Sequence, residues 1–175
     1  MYRMIKHLER LVEEDKIEEN DPIIDLGTGN GVMLRELEDF GFTNLTGIDY
    51  SPSSIKLAAQ ICPNLVDHLF QADILKSDER FTAKYKIAMD KGTFDAISLT
   101  PSDKETAIAN YSENVAQMLE KKGDYLFITS CNWTTDELKK HFSKQFELVT
   151  ELKVPKFKFG GKEGSSTVSV LFSKL

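Results

Sequence analysis

The sequence predicts an α/β fold, a parallel β-sheet with helices on both faces. Three observations predict it. Short apolar runs alternate with stretches of helical periodicity along most of the chain, the pattern of βα units. The first run leads through glycines at alternate positions, Gly27, Gly29 and Gly31, into an amphipathic segment. The final two runs follow one another with no helix between them and depart from that alternation. They are expected to form an antiparallel pair at the end of the sheet.

The elements follow in order. Residues Tyr2 to Ile17 place Met4, Ile5, Leu8, Leu11 and Val12 on one helical face and most of their charges on the other, a helix packed on the sheet. Asn20-Asp21-Pro22 breaks the chain before the first strand, Ile23 to Leu26. Val32 to Phe40 reads as a helix with Leu34, Leu37 and Phe40 inward, and Asn44 to Asp49 as the second strand. Ser51-Pro52-Ser53-Ser54 is a capped helix start, stopped by Cys62-Pro63-Asn64. Leu65 to Ile74 is expected as a third strand ending in Asp73, Lys76 to Lys84 as loop, and Tyr85 to Asp90 as a fourth strand. Pro101-Ser102-Asp103 prepares a helix whose stripe is Ala107, Ile108, Tyr111, Val115, Met118 and Leu119. Tyr125 to Thr129 is the fifth strand, and Thr134 or Thr135 caps the helix carrying Leu138, His141 and Phe142. Phe146 to Val154 and Ser166 to Phe172 are the last strands, joined by a long basic and aromatic loop from Pro155 to Gly164. No internal repeat or domain linker interrupts the 175 residues, and one domain is expected.

Composition narrows the function classes. Apolar residues at 41% and charged residues at 29% are ordinary for a globular protein. Lys plus Arg number 22 against 28 Asp plus Glu, a net charge of -6 that disfavours nonspecific nucleic-acid binding and suits a basic partner. Cys62 and Cys131 have neither C-x-x-C spacing nor a nearby His pair, and read as free thiols with no metal site. With no long apolar run and no apolar N-terminal core, neither a membrane span nor a secretory signal is expected, and the protein is placed in the cytoplasm.

The chemistry gathers in Asp25-Leu-Gly-Thr-Gly-Asn-Gly31 and in Asp49. A glycine turn between strand and helix lets a ligand approach the backbone closely. An acid ending the next strand can accept both hydroxyls of a ribose, so a nucleoside-containing cofactor is expected. The dinucleotide pattern G-x-G-x-x-G requires a glycine where this chain has Val32. The spacing D-x-G-x-G-x-G instead resembles motif I of the class I S-adenosylmethionine (SAM) methyltransferases. Its acid suits a cofactor with an ammonium and a sulfonium and no pyrophosphate.

Further segments resemble one branch of that family: Gly47 to Pro52, Asp90-Lys-Gly-Thr-Phe-Asp-Ala-Ile-Ser-Leu99, Ser130-Cys-Asn-Trp-Thr134 and Pro155 to Gly161. Together with motif I they resemble the eukaryotic protein-lysine methyltransferases of the methyltransferase-like 10 group, over nearly the whole chain. The resemblance implies a Rossmann-like seven-strand class I methyltransferase sheet with an antiparallel C-terminal hairpin. It implies methyl transfer from SAM to a lysine of translation elongation factor 1 alpha by a monomer, with no nucleic acid or membrane as partner. It also implies a cofactor site of Asp25, Gly27, Thr28, Gly29, Asn30, Gly31, Asp49, Tyr50, Asp73, Ile74 and Asp90, with Asp73 at the adenine amino group. Asp90 is expected to orient the lysine amine, with Phe94 and Trp133 walling a narrow channel. Members of the group carry a Trp-Phe-Gly-Glu stretch before the first helix, which this sequence lacks, so weaker SAM binding is expected. Two other classes stay open: a methyltransferase of small molecules, and a noncatalytic SAM-binding module. A NAD oxidoreductase is disfavoured by Val32.

Overall fold

The computed structural model describes residues 2–99, 103–152, 157–159, 162–164 and 167–175. The strands are β1 (Ile23–Leu26), β2 (Leu45–Asp49), β3 (Leu69–Gln71), β4 (Ile87–Lys91), β5 (Tyr125–Ser130), β6 (Phe146–Glu151), β7 (Phe157–Phe159), β8 (Lys162–Gly164) and β9 (Val168–Lys174). The helices are α1 (Tyr2–Glu13), α2 (Val32–Asp39), α3 (Pro52–Ile61), α4 (Thr93–Ser98), α5 (Lys104–Met118) and α6 (Thr135–Phe142).

Seven strands form one sheet in the order β3-β2-β1-β4-β5-β9-β6. The pairs from β3 to β5 are parallel, and β9 runs antiparallel to both β5 and β6. The expected parallel sheet with an antiparallel terminal pair is therefore present, and the strand order reverses at β1/β4.

Side-chain alternation divides the core into two layers. Ile23, Leu45, Ile87, Met89, Tyr125 and Phe127 point toward α1, α2 and α3. Ile24, Leu26, Ile48, Ala88, Leu126 and Ile128 point toward α4, α5 and α6. Burial on both faces is why these strands read as unbroken apolar runs.

Local chemistry sets the ends of the elements. α1 stops at Glu13, short of the expected Ile17, because Asp15 adopts φ 55 and closes the helix. The Lys16 amide donates to Leu11 O and the Asp15 amide to Val12 O, a Schellman closure. Ser51 caps α3, and its Oγ accepts from the Ser54 amide at 3.4 Å. Thr134 and Glu137 form a capping box at α6. Asp103 caps α5, its carboxylate accepting from the Thr106 amide.

Three expectations are corrected here. Leu65 to Ile74 is not one strand: Pro63–His68 forms a 3-10 turn, and only Leu69–Gln71 pairs with β2. Proline at the first position of that turn presets its φ and removes a donor the strand would need. The segment Lys76 to Lys84 contains a 3-10 turn, Glu79–Thr82, with Phe81 buried. Within the expected long loop, Phe157–Phe159 and Lys162–Gly164 pair as a two-stranded antiparallel ribbon. The expected lead-in Pro101-Ser102, and Lys153 to Lys156, lie outside the described residues, as do Gly160, Gly161 and Ser166.

Candidate active site

The carboxyl ends of β1, β2 and β4 carry the acids read from the sequence. The turn after β1 takes φ 69 at Gly27, 57 at Gly29 and 79 at Gly31, left-handed values that disfavour a side chain. The three glycines differ in what surrounds them. A Cβ on Gly27 would lie 2.1 Å from Thr93 Oγ1, and one on Gly31 would lie 3.0 Å from Ala58 Cα in α3. At Gly29 a Cβ would meet nothing within 4 Å. Gly27 and Gly31 thus allow close packing, whereas Gly29 borders open space.

That space is a cavity of about 480 Å³ lined by Asp25, Gly27, Thr28, Gly29, Asn30, Val32, Met33 and Lys91. Asp49 holds its rim: Oδ2 accepts from the Gly29 amide and Oδ1 from the Ser51 amide, both at 2.9 Å. An ionised carboxylate has about four lone-pair positions. Asp49 therefore fixes the glycine turn and still has acceptor capacity on each oxygen for a ribose diol.

Asp25 is buried, and burial pushes its carboxyl up to about 6. The Thr28 hydroxyl beside it and the charge of Lys91 oppose that rise. No group meets Thr28 Oγ1 at hydrogen-bond geometry, although the atom is buried. An open face at Gly29 and buried acids fit a polar, positively charged ligand. SAM has that character, so the residues present fit this cofactor.

The remaining expected cofactor contacts are dispersed. Asp73 lies beyond the end of β3, where Oδ1 accepts from the Leu75 amide at 3.1 Å and Oδ2 pairs with Lys76 Nζ at 3.1 Å. Ile74 is buried in the core beside α5. Tyr50 is 76% exposed.

Asp90, Phe94 and Trp133, expected at the substrate amine, are placed as follows. Asp90 alternates with Met89 and so faces α5, away from the α1 layer. It is fully buried, and three donors meet it. Oδ1 accepts from the Thr93 amide at 2.9 Å; Oδ2 accepts from the Phe94 amide at 2.9 Å and the Tyr111 hydroxyl at 2.6 Å. It anchors the start of α4 and has no open side for an amine. Burial pushes its carboxyl up to about 7 and its partner Tyr111 well above the usual phenol range. Phe94 is likewise fully buried, packed between Tyr111 and Phe142. Trp133 packs at a tilt against Phe94 and edge-to-face against His141, with Lys104 Nζ 4.7 Å from its ring centre. These aromatics belong to the α4–α6 layer.

A second cavity lies on the other face. Its volume is about 710 Å³, and its lining includes Tyr2, Arg3, Met4, Lys91, Gly92, Asp95, Thr129, Cys131 and Ser169. Lys91 borders both cavities. Gly92, at φ 93, leaves the wall open where a Cβ would project into empty space. Asp95, Thr129 and Cys131, which line this cavity, were not singled out from the sequence. No local sequence signal marks them, because Asp95 is held by Ser130 and Cys131, 35 and 36 residues away.

Among the described residues, no group of three or more His, Cys, Asp or Glu is placed to hold a metal, and no helix is long and apolar enough to cross a membrane.

Comparison with known proteins agrees with this geometry. The methyltransferase-domain family matches residues 17–167. Human EEF1A lysine methyltransferase 2 is 42% identical over 173 residues, covering 98% of this chain and 73% of that protein. Protein-lysine N-methyltransferase EFM4 of Saccharomyces cerevisiae is 42% identical over 181 residues, covering 98% of this chain and 78% of its own length. Among solved structures, the N-methyltransferase NodS from Bradyrhizobium japonicum, in complex with S-adenosylhomocysteine, superposes with a TM-score of 0.73. It is 14% identical, over 99% of this chain and 86% of that one, a likeness of fold. The chain belongs to the class I SAM-dependent methyltransferases, in the protein-lysine methyltransferase group that contains EEF1A lysine methyltransferase 2 and EFM4.

Proposed function

We propose that this protein transfers the methyl of SAM to a lysine side chain of translation elongation factor 1 alpha. Support for the substrate comes from the names of the relatives at 40–43% identity. The structural observation that carries the reading is the pair of cavities that share Lys91 in their linings. In this reading SAM occupies the glycine-turn cavity, and the substrate side chain enters through the larger one.

SAM supplies an activated methyl on a sulfonium when bound. The chain's residues then have three tasks. Gly27 to Gly31 and Asp49 hold the cofactor end, with Asp25 and Thr28 facing its polar groups. Gly92 and Thr129 line the cavity that would admit the alkyl chain. The walls exclude water as the substrate docks. A lysine amine has a pKa of about 10.4, so presenting it neutral at pH 7 costs about 4.6 kcal/mol. Holding two reactants in line contributes about 7–11 kcal/mol, so positioning outweighs that cost without a strong base.

The chain acts here as a single methyltransferase domain over 1–175, a monomer in the cytoplasm with a protein partner and neither nucleic acid nor membrane as substrate. The net charge of -6 supports a basic protein partner at encounter. The test is transfer of labelled methyl from SAM into a cell lysate, followed by mass spectrometry of the labelled species. Methyl-lysine in elongation factor 1 alpha is expected. Label located only on RNA, a carboxylate or a metabolite overturns the reading.

A further inference from the structure

We infer that Asp95 is the carboxylate that receives the substrate amine. The inference rests on the lysine reading above and goes on to name the residue that holds the nucleophile. Asp95 is the one acid among the described residues lining the larger cavity. It sits on α4, three residues past Gly92, and is 8% exposed. Its Oδ1 accepts from the Ser130 hydroxyl at 2.5 Å and its Oδ2 from the Cys131 amide at 2.7 Å. The end of β5 therefore clamps the carboxylate at both oxygens and fixes its orientation.

Two donors leave about half of the lone-pair positions of an ionised carboxylate unused. Asp95 takes part in none of the ion pairs formed among the described residues. A buried carboxylate with spare acceptors and no cation is suited to an incoming N–H donor. The other acids fail this requirement. Asp90 is closed off by three donors on the opposite face. Asp25 lines the cofactor cavity instead.

The remaining charges of the cavity support an amine over a permanent cation. Arg3 and Lys91 also line it. Asp95 attracts the ammonium, the like charge of Arg3 and Lys91 favours release of its proton to solvent, and Asp95 then accepts an N–H of the neutral amine and orients its lone pair toward the methyl. The amine nitrogen forms the new bond to the methyl carbon as the carbon–sulfur bond breaks, and the sulfur keeps that electron pair. The methylated nitrogen loses its remaining extra proton to solvent.

Cys131 gives a readout that does not depend on turnover, because it lines the same cavity and is exposed while Cys62 is buried. Alkylation of Cys131 by iodoacetamide is followed by mass spectrometry on the full chain with saturating S-adenosylhomocysteine. Butylammonium chloride is expected to slow it at least threefold relative to sodium chloride at equal ionic strength. 1-Butanol, of the same length and uncharged, is expected not to protect. Asp95→Asn is expected to abolish protection, whereas Ser130→Ala, which loses the Ser130–Asp95 bond but keeps the carboxylate, retains it. With elongation factor 1 alpha as substrate, Asp95→Asn is expected to lower kcat/KM at least 100-fold, and Ser130→Ala less than tenfold, with S-adenosylhomocysteine affinity within threefold in both. Absence of butylammonium protection in the wild type, equal protection by butanol, or protection surviving in Asp95→Asn overturns the inference. If the wild type methylates no lysine while the protection pattern holds, the substrate reading fails and the carboxylate assignment stands.

Discussion

Replacing Asp90 by asparagine tests whether that buried carboxyl is neutral in the folded protein. Its ordinary value is 3.8, and burial raises it to about 7. A raised carboxyl means that the folded chain holds the proton more tightly than the unfolded chain. Its contribution to stability is therefore fully present at low pH and is lost as pH rises toward 7. Integrating proton linkage over those two values, the wild type loses about 2.6 kcal/mol between pH 5 and pH 8 from this group. The carboxamide that replaces it does not titrate. His7 and His141, which are also shifted, are present in both chains and cancel in the difference, whereas Asp25, whose charge acts on Asp90, makes the value of about 2.6 kcal/mol an order-of-magnitude figure. Chemical denaturation of the two proteins across that range should show the stability gap moving by about 2.6 kcal/mol in favour of Asp90→Asn at pH 8. In thermal melts this corresponds to about 5–10 °C. Three donors oppose burial here, since the Thr93 and Phe94 amides and the Tyr111 hydroxyl favour the charged form. Parallel stability curves from pH 5 to 8 would mean that the donors outweigh burial, that Asp90 is ionised throughout, and that the reasoning is wrong.

Two further outcomes concern the cofactor cavity. Asp49→Ala removes the acceptor of the Gly29 and Ser51 amides together with any ribose contact, and should weaken S-adenosylhomocysteine binding by about 1.5–3 kcal/mol in calorimetry; unchanged affinity refutes the assignment. Gly29→Ala and Gly31→Ala should separate cofactor from packing. The first places its Cβ in open space, and should cost about 1–2 kcal/mol of stability from the left-handed backbone alone while lowering cofactor affinity. The second also drives its Cβ against Ala58, and should lower the melting temperature further; equal melting losses would refute the distinction.

The sheet was legible because its strands are buried on both faces. Ile23-Ile24, Ile87-Ala88-Met89 and Tyr125 to Ile128 carry an apolar signal that tolerates no other placement. The glycine turn and Asp49 were legible for a related reason: left-handed backbone and an acid at a strand's end are local features, written in adjacent residues. β3 was not legible. Val66, at 51% exposure, contributes apolar character without burial, so Leu65 to Ile74 resembles a buried strand in composition alone. The ribbon of β7 and β8 was read as loop because Gly160 and Gly161 dominate its signal.

The placement of Asp90, Phe94 and Asp95 was not legible, for a geometric reason. Motif reading ranks Asp90, Phe94 and Trp133 by residue type, but a strand sends alternate side chains to opposite faces. Met89 packs in the α1 layer, and Asp90 turns toward Tyr111 in the other. That parity was available from Ile87-Ala88-Met89-Asp90; which face borders the second cavity was not, because it depends on α1 and on Ser169 of β9, about 80 residues from Asp90 on either side. The same crossing decides between Phe94 and Asp95. Both begin α4, and adjacent residues on a helix lie about 100° apart, so when Phe94 enters the aromatic layer its neighbour turns toward the rim. The clamp from Ser130 and the Cys131 amide then fixes Asp95 from a strand 35 residues later. A carboxylate so placed is a product of tertiary structure, and one sequence alone carries no local mark of it.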